Sequence, residues 1–75
     1  MKKIINGLMY DTSTATEIYF DEKKDRKYYK TQNGNYFCMY SNGEIKPMPE
    51  DSIKEFLGEV NVDAYINVFG KPKMA

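Results

Sequence analysis

Seventy-five residues make one domain, near the lower limit for a core that holds without covalent staples. A single cysteine, Cys38, excludes an internal disulfide, and eleven basic against eleven acidic residues argue against nucleic-acid binding driven by bulk charge. Without histidine there is no metal-ligand spacing, and no apolar run is long enough for a signal peptide or a membrane span.

A reducing cytoplasm is the expected compartment. Cys38 reads as a small buried hydrophobe, since no histidine stands ready to activate it.

Three Asn-Gly pairs, Asn6-Gly7, Asn33-Gly34 and Asn42-Gly43, predict hairpins. A type I′ turn needs positive φ at both central residues, which glycine and asparagine tolerate best. In chain order, Lys2 to Ile5 and Leu8 to Tyr10 form a first hairpin, with Ile5 opposite Leu8, Ile4 opposite Met9 and Lys3 opposite Tyr10. Asp11-Thr12-Ser13-Thr14 is a polar turn in which Asp11 accepts from backbone N–H groups as an Asx turn or helix N-cap does. Ala15 to Phe20 is a strand or a short helix, and its β-branched and aromatic content favours strand. Asp21 to Arg26 is a charged loop. Lys27 to Gln32 and Asn35 to Ser41 form the central hairpin around Asn33-Gly34, and Tyr40 pairs with Ile45 across Asn42-Gly43.

Pro47-Met48-Pro49-Glu50-Asp51 starts a helix, with proline where no N–H is needed and acids at the positive end of the dipole. Its apolar face is Ile53, Phe56 and Leu57, and Gly58 is its C′ residue. A second helix follows Asn61 as N-cap. Its Val62, Tyr65, Ile66 and Phe69 fall at i, i+3, i+4 and i+7. Gly70 stops it. The expected fold is therefore α+β: a small antiparallel β-sheet of hairpins, about four to five strands, packed against two short C-terminal helices. Residues 1–70 form the single domain and 71–75 a flexible tail.

A two-residue central turn sorts the sheet into two faces. One carries Lys27, Tyr29, Thr31, Tyr36, Cys38 and Tyr40, continued by Ile45, and having fewer strongly polar residues it is assigned to the core. The other carries Tyr28, Lys30, Gln32, Asn35, Phe37 and Met39, continued by Lys46. It would present Tyr28, Phe37 and Met39 to solvent, ringed by Lys30 and Lys46. Such a patch is what a recognition surface looks like, and in kind it resembles a stacking platform for single-stranded nucleic acid. The inverse assignment, or Ala15–Phe20 folding across this face, would remove it, and burial of Phe37 is the deciding observation.

Catalysis has little to stand on. Histidine is absent, glycines occur singly, no base adjoins a serine, and acid pairs such as Glu50-Asp51 sit in solvated stretches. No cofactor is implied. Charge is unevenly spread: Lys23, Lys24, Arg26, Lys27 and Lys30 gather before the central hairpin, while Glu44, Glu50, Asp51, Glu55, Glu59 and Asp63 gather towards the end.

Ile4-Ile5-Asn6-Gly7-Leu8-Met9-Tyr10-Asp11-Thr12-Ser13-Thr14-Ala15 resembles the opening "ING-x-x-YDT-x-TA" of a family of small uncharacterised proteins from phages, plasmids and other mobile elements of Gram-positive bacteria. Tyr28 to Phe37 resembles that family's "LY-x-T-x-x-G-x-YF" hairpin, with Tyr28 where leucine is usual. The stretch Asp63 to Gly70 is similar to its closing "D-x-x-Y-x-x-x-FG", with the tyrosine one place earlier. The resemblance implies an accessory protein of a mobile element: a non-enzymatic inhibitor of a host defence protein, such as an anti-CRISPR acting on a Cas effector. In that reading Glu50, Asp51, Glu55, Glu59 and Asp63 stand in for phosphates and occupy a nucleic-acid channel. The alternative is a small nucleic-acid-binding module using Tyr28, Phe37, Lys30 and Lys46. A third arrangement is a homodimer through the aromatic face. No membrane partner is expected.

Overall fold

In the computed structural model, which describes Met1–Ala75, the chain is α+β, with six strands in two antiparallel sheets followed by two helices. Strands β1 (Lys2–Ile5) and β2 (Leu8–Asp11) form a separate two-stranded ribbon. Strands β3 (Thr16–Asp21), β4 (Arg26–Lys30), β5 (Tyr36–Met39) and β6 (Ile45–Met48) form a four-stranded meander in sequence order. Helices α1 (Glu50–Val60) and α2 (Val62–Phe69) close the chain, and Lys71–Ala75 extends beyond them, exposed and without regular structure. The single expected sheet of four to five strands is thus two sheets and six strands.

The first hairpin has the expected register, Ile5 opposite Leu8, Ile4 opposite Met9 and Lys3 opposite Tyr10. Asn6 and Gly7 both have positive φ, 51° and 77°, as a type I′ turn requires. Asp11 caps the following turn, its Oδ1 accepting from the Ser13 N–H at 2.9 Å and the Ser13 hydroxyl at 2.8 Å. The stretch after it is a strand. A bulge between Glu17 and Tyr19 lets both Ile18 and Tyr19 pack against the helix-side core.

The central register differs from the two-residue expectation by one position. Tyr29 pairs with Phe37, Tyr28 with Cys38 and Lys30 with Tyr36. The loop holds three residues. The Gly34 N–H donates to the Thr31 carbonyl at 3.0 Å, the Thr31 N–H donates to the Asn35 carbonyl at 2.8 Å, and only Gly34 takes positive φ, 83°. The same loop recurs at Asn42-Gly43, where Tyr40 pairs with Glu44 rather than Ile45. The physical reason lies in the side chains. A two-residue turn would set Phe37 opposite Lys30, whereas the three-residue turn sets it opposite Tyr29, and the two rings stack at 4.9 Å.

Pro47 lies in β6, an edge strand where a missing N–H breaks no ladder, so α1 starts later than expected, with Pro49 as N-cap. Nor does Gly58 end α1. The helix runs through it to Val60, and Asn61 serves both helices. Its N–H donates to the Leu57 carbonyl, and its Oδ1 accepts from the Ala64 N–H at 3.0 Å. Helix α2 meets the core through Ala64, Tyr65, Val68 and Phe69, while Val62 stays exposed, because α2 covers the margin of the layer and has no buried residue.

The result is three layers. On one side of the meander, Tyr28, Tyr36 and Cys38 pack against Ile53 and Leu57 of α1. On the other, Tyr29, Phe37 and Ile45 pack against Tyr10 of the ribbon, with Ile5, Ala15 and Met39 at the margin. Both faces of the sheet are therefore covered.

Candidate interaction surfaces

The exposed aromatic patch expected on the sheet does not exist. Tyr28 is buried under α1, its ring stacked on Phe56 at 4.6 Å. Phe37 is wholly buried on the opposite side, edge-on to Tyr10 at 5.5 Å. Met39 is half-buried beside it. Tyr29, Tyr36 and Cys38, assigned to the core, are buried, but on two different faces. Neither Tyr28 nor Phe37 has a ring face free for a base or a second copy to stack on. The slip in register and the unforeseen ribbon layer together cause this.

Lys30 is half-buried, its ammonium 5.9 Å from the Tyr36 ring centroid. Lys46 is exposed on the edge strand. These two lysines and the buried aromatics do not form one site. Glu50, Glu55 and Glu59, by contrast, are all exposed on α1 together with Asp51, and Asp63 is exposed at the start of α2. Asp51, Glu55 and Glu59 recur every fourth residue and share one helix face. Glu50 pairs with Lys54 at 3.4 Å, the one salt bridge in the molecule.

A second surface escaped the sequence reading. On the ribbon, Tyr10 and Ile5 turn towards the sheet, so the alternate residues Ile4 and Met9 turn away from it. These two side chains are 71% and 60% exposed. The signal was present in the cross-strand pairs: Ile5/Leu8 and Ile4/Met9 make both faces of a two-stranded ribbon apolar, and only one face can rest on the sheet.

Two depressions are open to solvent. A groove of about 580 Å³ runs between the β3–β4 turn and the end of α1, with Phe20, Lys23, Lys24, Phe56 and Val60 among its lining. A cleft of about 240 Å³ lies between the ribbon and the β4–β5 turn, lined by Leu8, Tyr10, Gln32, Asn33 and Asn35 among others. Neither gathers a nucleophile and a base. No group of three or more Cys, Asp or Glu side chains is placed to hold a metal ion, and no helix is long and apolar enough to cross a membrane.

Hydrogen bonds from the Ser13 N–H and hydroxyl hold the Asp11 carboxyl below its usual range, with Lys2 adding to the effect. Burial raises the Cys38 thiol. It also pushes the Tyr28 hydroxyl up to about 12, with Cys38 next to it adding to the rise. Both groups are thus neutral at physiological pH, and the thiol is poorly suited to nucleophilic chemistry.

No protein-family model, curated protein or solved structure matches this chain.

Proposed function

We propose that this chain is a non-enzymatic binding protein of a phage or other mobile element that inhibits a host defence protein, with the acidic outer face of its helices as the contact surface. A nucleic-acid-handling nuclease, such as a Cas effector, fits that surface best. The observation that carries the reading is the run of exposed carboxylates at Asp51, Glu55 and Glu59, beside Glu50 and Asp63. Four residues of helix advance about 6 Å, so the three lie in a row. Like charges at this spacing weaken a helix by about 0.2–0.5 kcal/mol per pair. Stability therefore does not explain the row, whereas a basic channel that ordinarily holds phosphates would receive it. The resemblance of Ile4–Ala15 and Tyr28–Phe37 to mobile-element proteins supports the same class of partner.

The test is capture of the tagged protein's partner from host cytoplasm, with the wild-type chain and with the triple variant Glu50→Lys, Glu55→Lys, Glu59→Lys. All three positions are exposed, so the variant should fold, and circular dichroism checks that it does. The expected result is a nuclease or nuclease complex recovered with the wild type, reduced at least tenfold with the variant, and eluted by salt. Equal recovery with the variant would remove the acidic face from the contact. Binding of DNA or RNA by the chain itself, lost with Lys30→Ala, would favour the nucleic-acid module instead.

A further inference from the structure

We infer that the outer face of the β1–β2 ribbon is a contact between two copies of this chain, stacked face to face about a two-fold axis parallel to the strands. The ribbon is the outermost layer on its side of the sheet, and its outward residues are Lys2, Ile4, Met9 and Asp11. The sheet and helices lie behind the ribbon, and the β4–β5 turn stands beside it across the cleft that Met9 helps to line. Ile4 and Met9 are cross-strand partners, as are Lys2 and Asp11.

This pairing makes the face self-complementary. A two-fold axis along the strands exchanges β1 with β2 while keeping each cross-strand pair at the same height. Every residue then faces the cross-strand partner of its counterpart, Ile4 over Met9 and Lys2 over Asp11. Both contacts occur twice, as an isologous interface requires. Apolar side chains meet at the centre, and opposite charges meet at the end. Hydrogen bonds from Ser13 and the proximity of Lys2 hold Asp11 ionised, so its charge is present throughout the physiological range. A formal net charge of zero removes the long-range repulsion between copies that would oppose association. The acidic helices lie across the sheet from this face, so a dimer built on the ribbon leaves Glu55 and Glu59 accessible.

The face is small, well under the roughly 800 Å² per partner of a stable complex. The dimer is correspondingly weak.

Sedimentation velocity between about 10 µM and 2 mM tests the proposal. The wild type should pass from monomer towards dimer over that range. Ile4→Lys and Met9→Lys, which alter only exposed side chains, should each stay monomeric throughout. Lys2→Glu and Asp11→Lys should each weaken the dimer about tenfold, and an equimolar mixture of those two chains should restore it, because opposite charges then meet at both of the contacts between positions 2 and 11. Should Asp11→Lys lose its turn and unfold, the Ile4 and Met9 variants still decide. A wild type monomeric at 2 mM, or Ile4→Lys dimerising like the wild type, would overturn the proposal. So would a monomer that binds lipid vesicles or an unrelated protein through Ile4.

Discussion

On the helix side of the central sheet, the outermost side chains are Asp51, Glu55 and Glu59. On the ribbon side they are Ile4 and Met9. Both layers cover an aromatic face of the sheet, α1 burying Ile53 and Leu57 and the ribbon burying Tyr10, while Leu8 on the ribbon's inward face stays 51% exposed. The outer face of α1 is charged, as a layer in water should be, with exposed apolar side chains on this side at Val60 and Val62, where the two helices join. The ribbon is apolar on both faces, because Ile4 and Met9 flank the same turn as Ile5 and Leu8. A helix of eleven residues has enough positions to divide between core and solvent. Four-residue strands have only two per face, and here both faces received apolar pairs. A polar outer face is what water requires of a layer, although that alone does not select three acids in a row; an apolar outer face calls for something to cover it.

The sharpest way to break this comparison is to ask whether the ribbon is a structural layer at all. Phe37 is wholly buried on the ribbon side, and Leu57 is wholly buried on the helix side. Phe37→Ala should cost about 3–5 kcal/mol and Leu57→Ala about 2–5 kcal/mol. Against a total of roughly 4–11 kcal/mol for a domain of this size, either change brings the chain close to unfolding. Tyr10→Ala separates the alternatives. As the anchor of a true layer, edge-on to Phe37, it should cost about 3 kcal/mol in urea denaturation. A cost below about 1 kcal/mol would make the ribbon a loosely attached flap.

Adjacent residues give a second probe, since Tyr28 faces the helices and Tyr29 faces the ribbon. Burial raises both hydroxyls, Tyr28 to about 12, while Tyr29 is raised with a smaller contribution from Glu17. At pH 11 the unfolded chain has released the Tyr28 proton and the native chain still holds it. The native state then binds more protons, so stability falls with rising pH. The contribution is fully present below pH 10 and is lost as pH rises through about 12. Tyr28→Phe should raise the midpoint of alkaline unfolding, followed by tyrosine absorbance, more than Tyr29→Phe does. The reverse order would mean that the ribbon seals its side better than the helices seal theirs.

Much of this architecture was legible in the sequence. The ribbon's register followed from Asn6-Gly7, the α2 cap from Asn61, and the helix-side core from Ile53 and Leu57. The acidic face was legible too, because exposed charge on a helix needs no tertiary information. What failed was the step from turn to face. The same Asn-Gly dipeptide serves a two-residue loop at Asn6 and three-residue loops at Asn33 and Asn42. Local chemistry favours the longer loops: the Thr31 hydroxyl accepts from the Asn35 N–H at 3.0 Å, and the Asn42 Oδ1 accepts from the Glu44 N–H at 2.9 Å. Because side chains alternate, that single residue redistributed Tyr36, Phe37, Cys38 and Met39 between the faces. The second failure was to read one sheet where there are two, so that a covered face was taken for a surface.

These turns supply the finest test of the difference between ribbon and sheet. Asn6 holds φ at 51°, in the left-handed region that costs most side chains about 1–2 kcal/mol; asparagine tolerates it better than alanine. Asn6→Ala should therefore cost about 1 kcal/mol, or a fall of roughly 4–8 °C in melting temperature. Asn42 has negative φ but its side chain accepts a hydrogen bond, so Asn42→Ala should cost about 0.5–1 kcal/mol. Asn33 has neither the strained φ nor a side-chain hydrogen bond, so Asn33→Ala should cost under about 0.5 kcal/mol. Thermal melts of the three variants rank them directly. Equal losses at Asn6 and Asn33 would mean that both occupy the left-handed region. A two-residue central loop would follow, Phe37 would turn to Lys30, and the distinction between a covered sheet and an uncovered ribbon would fall with it.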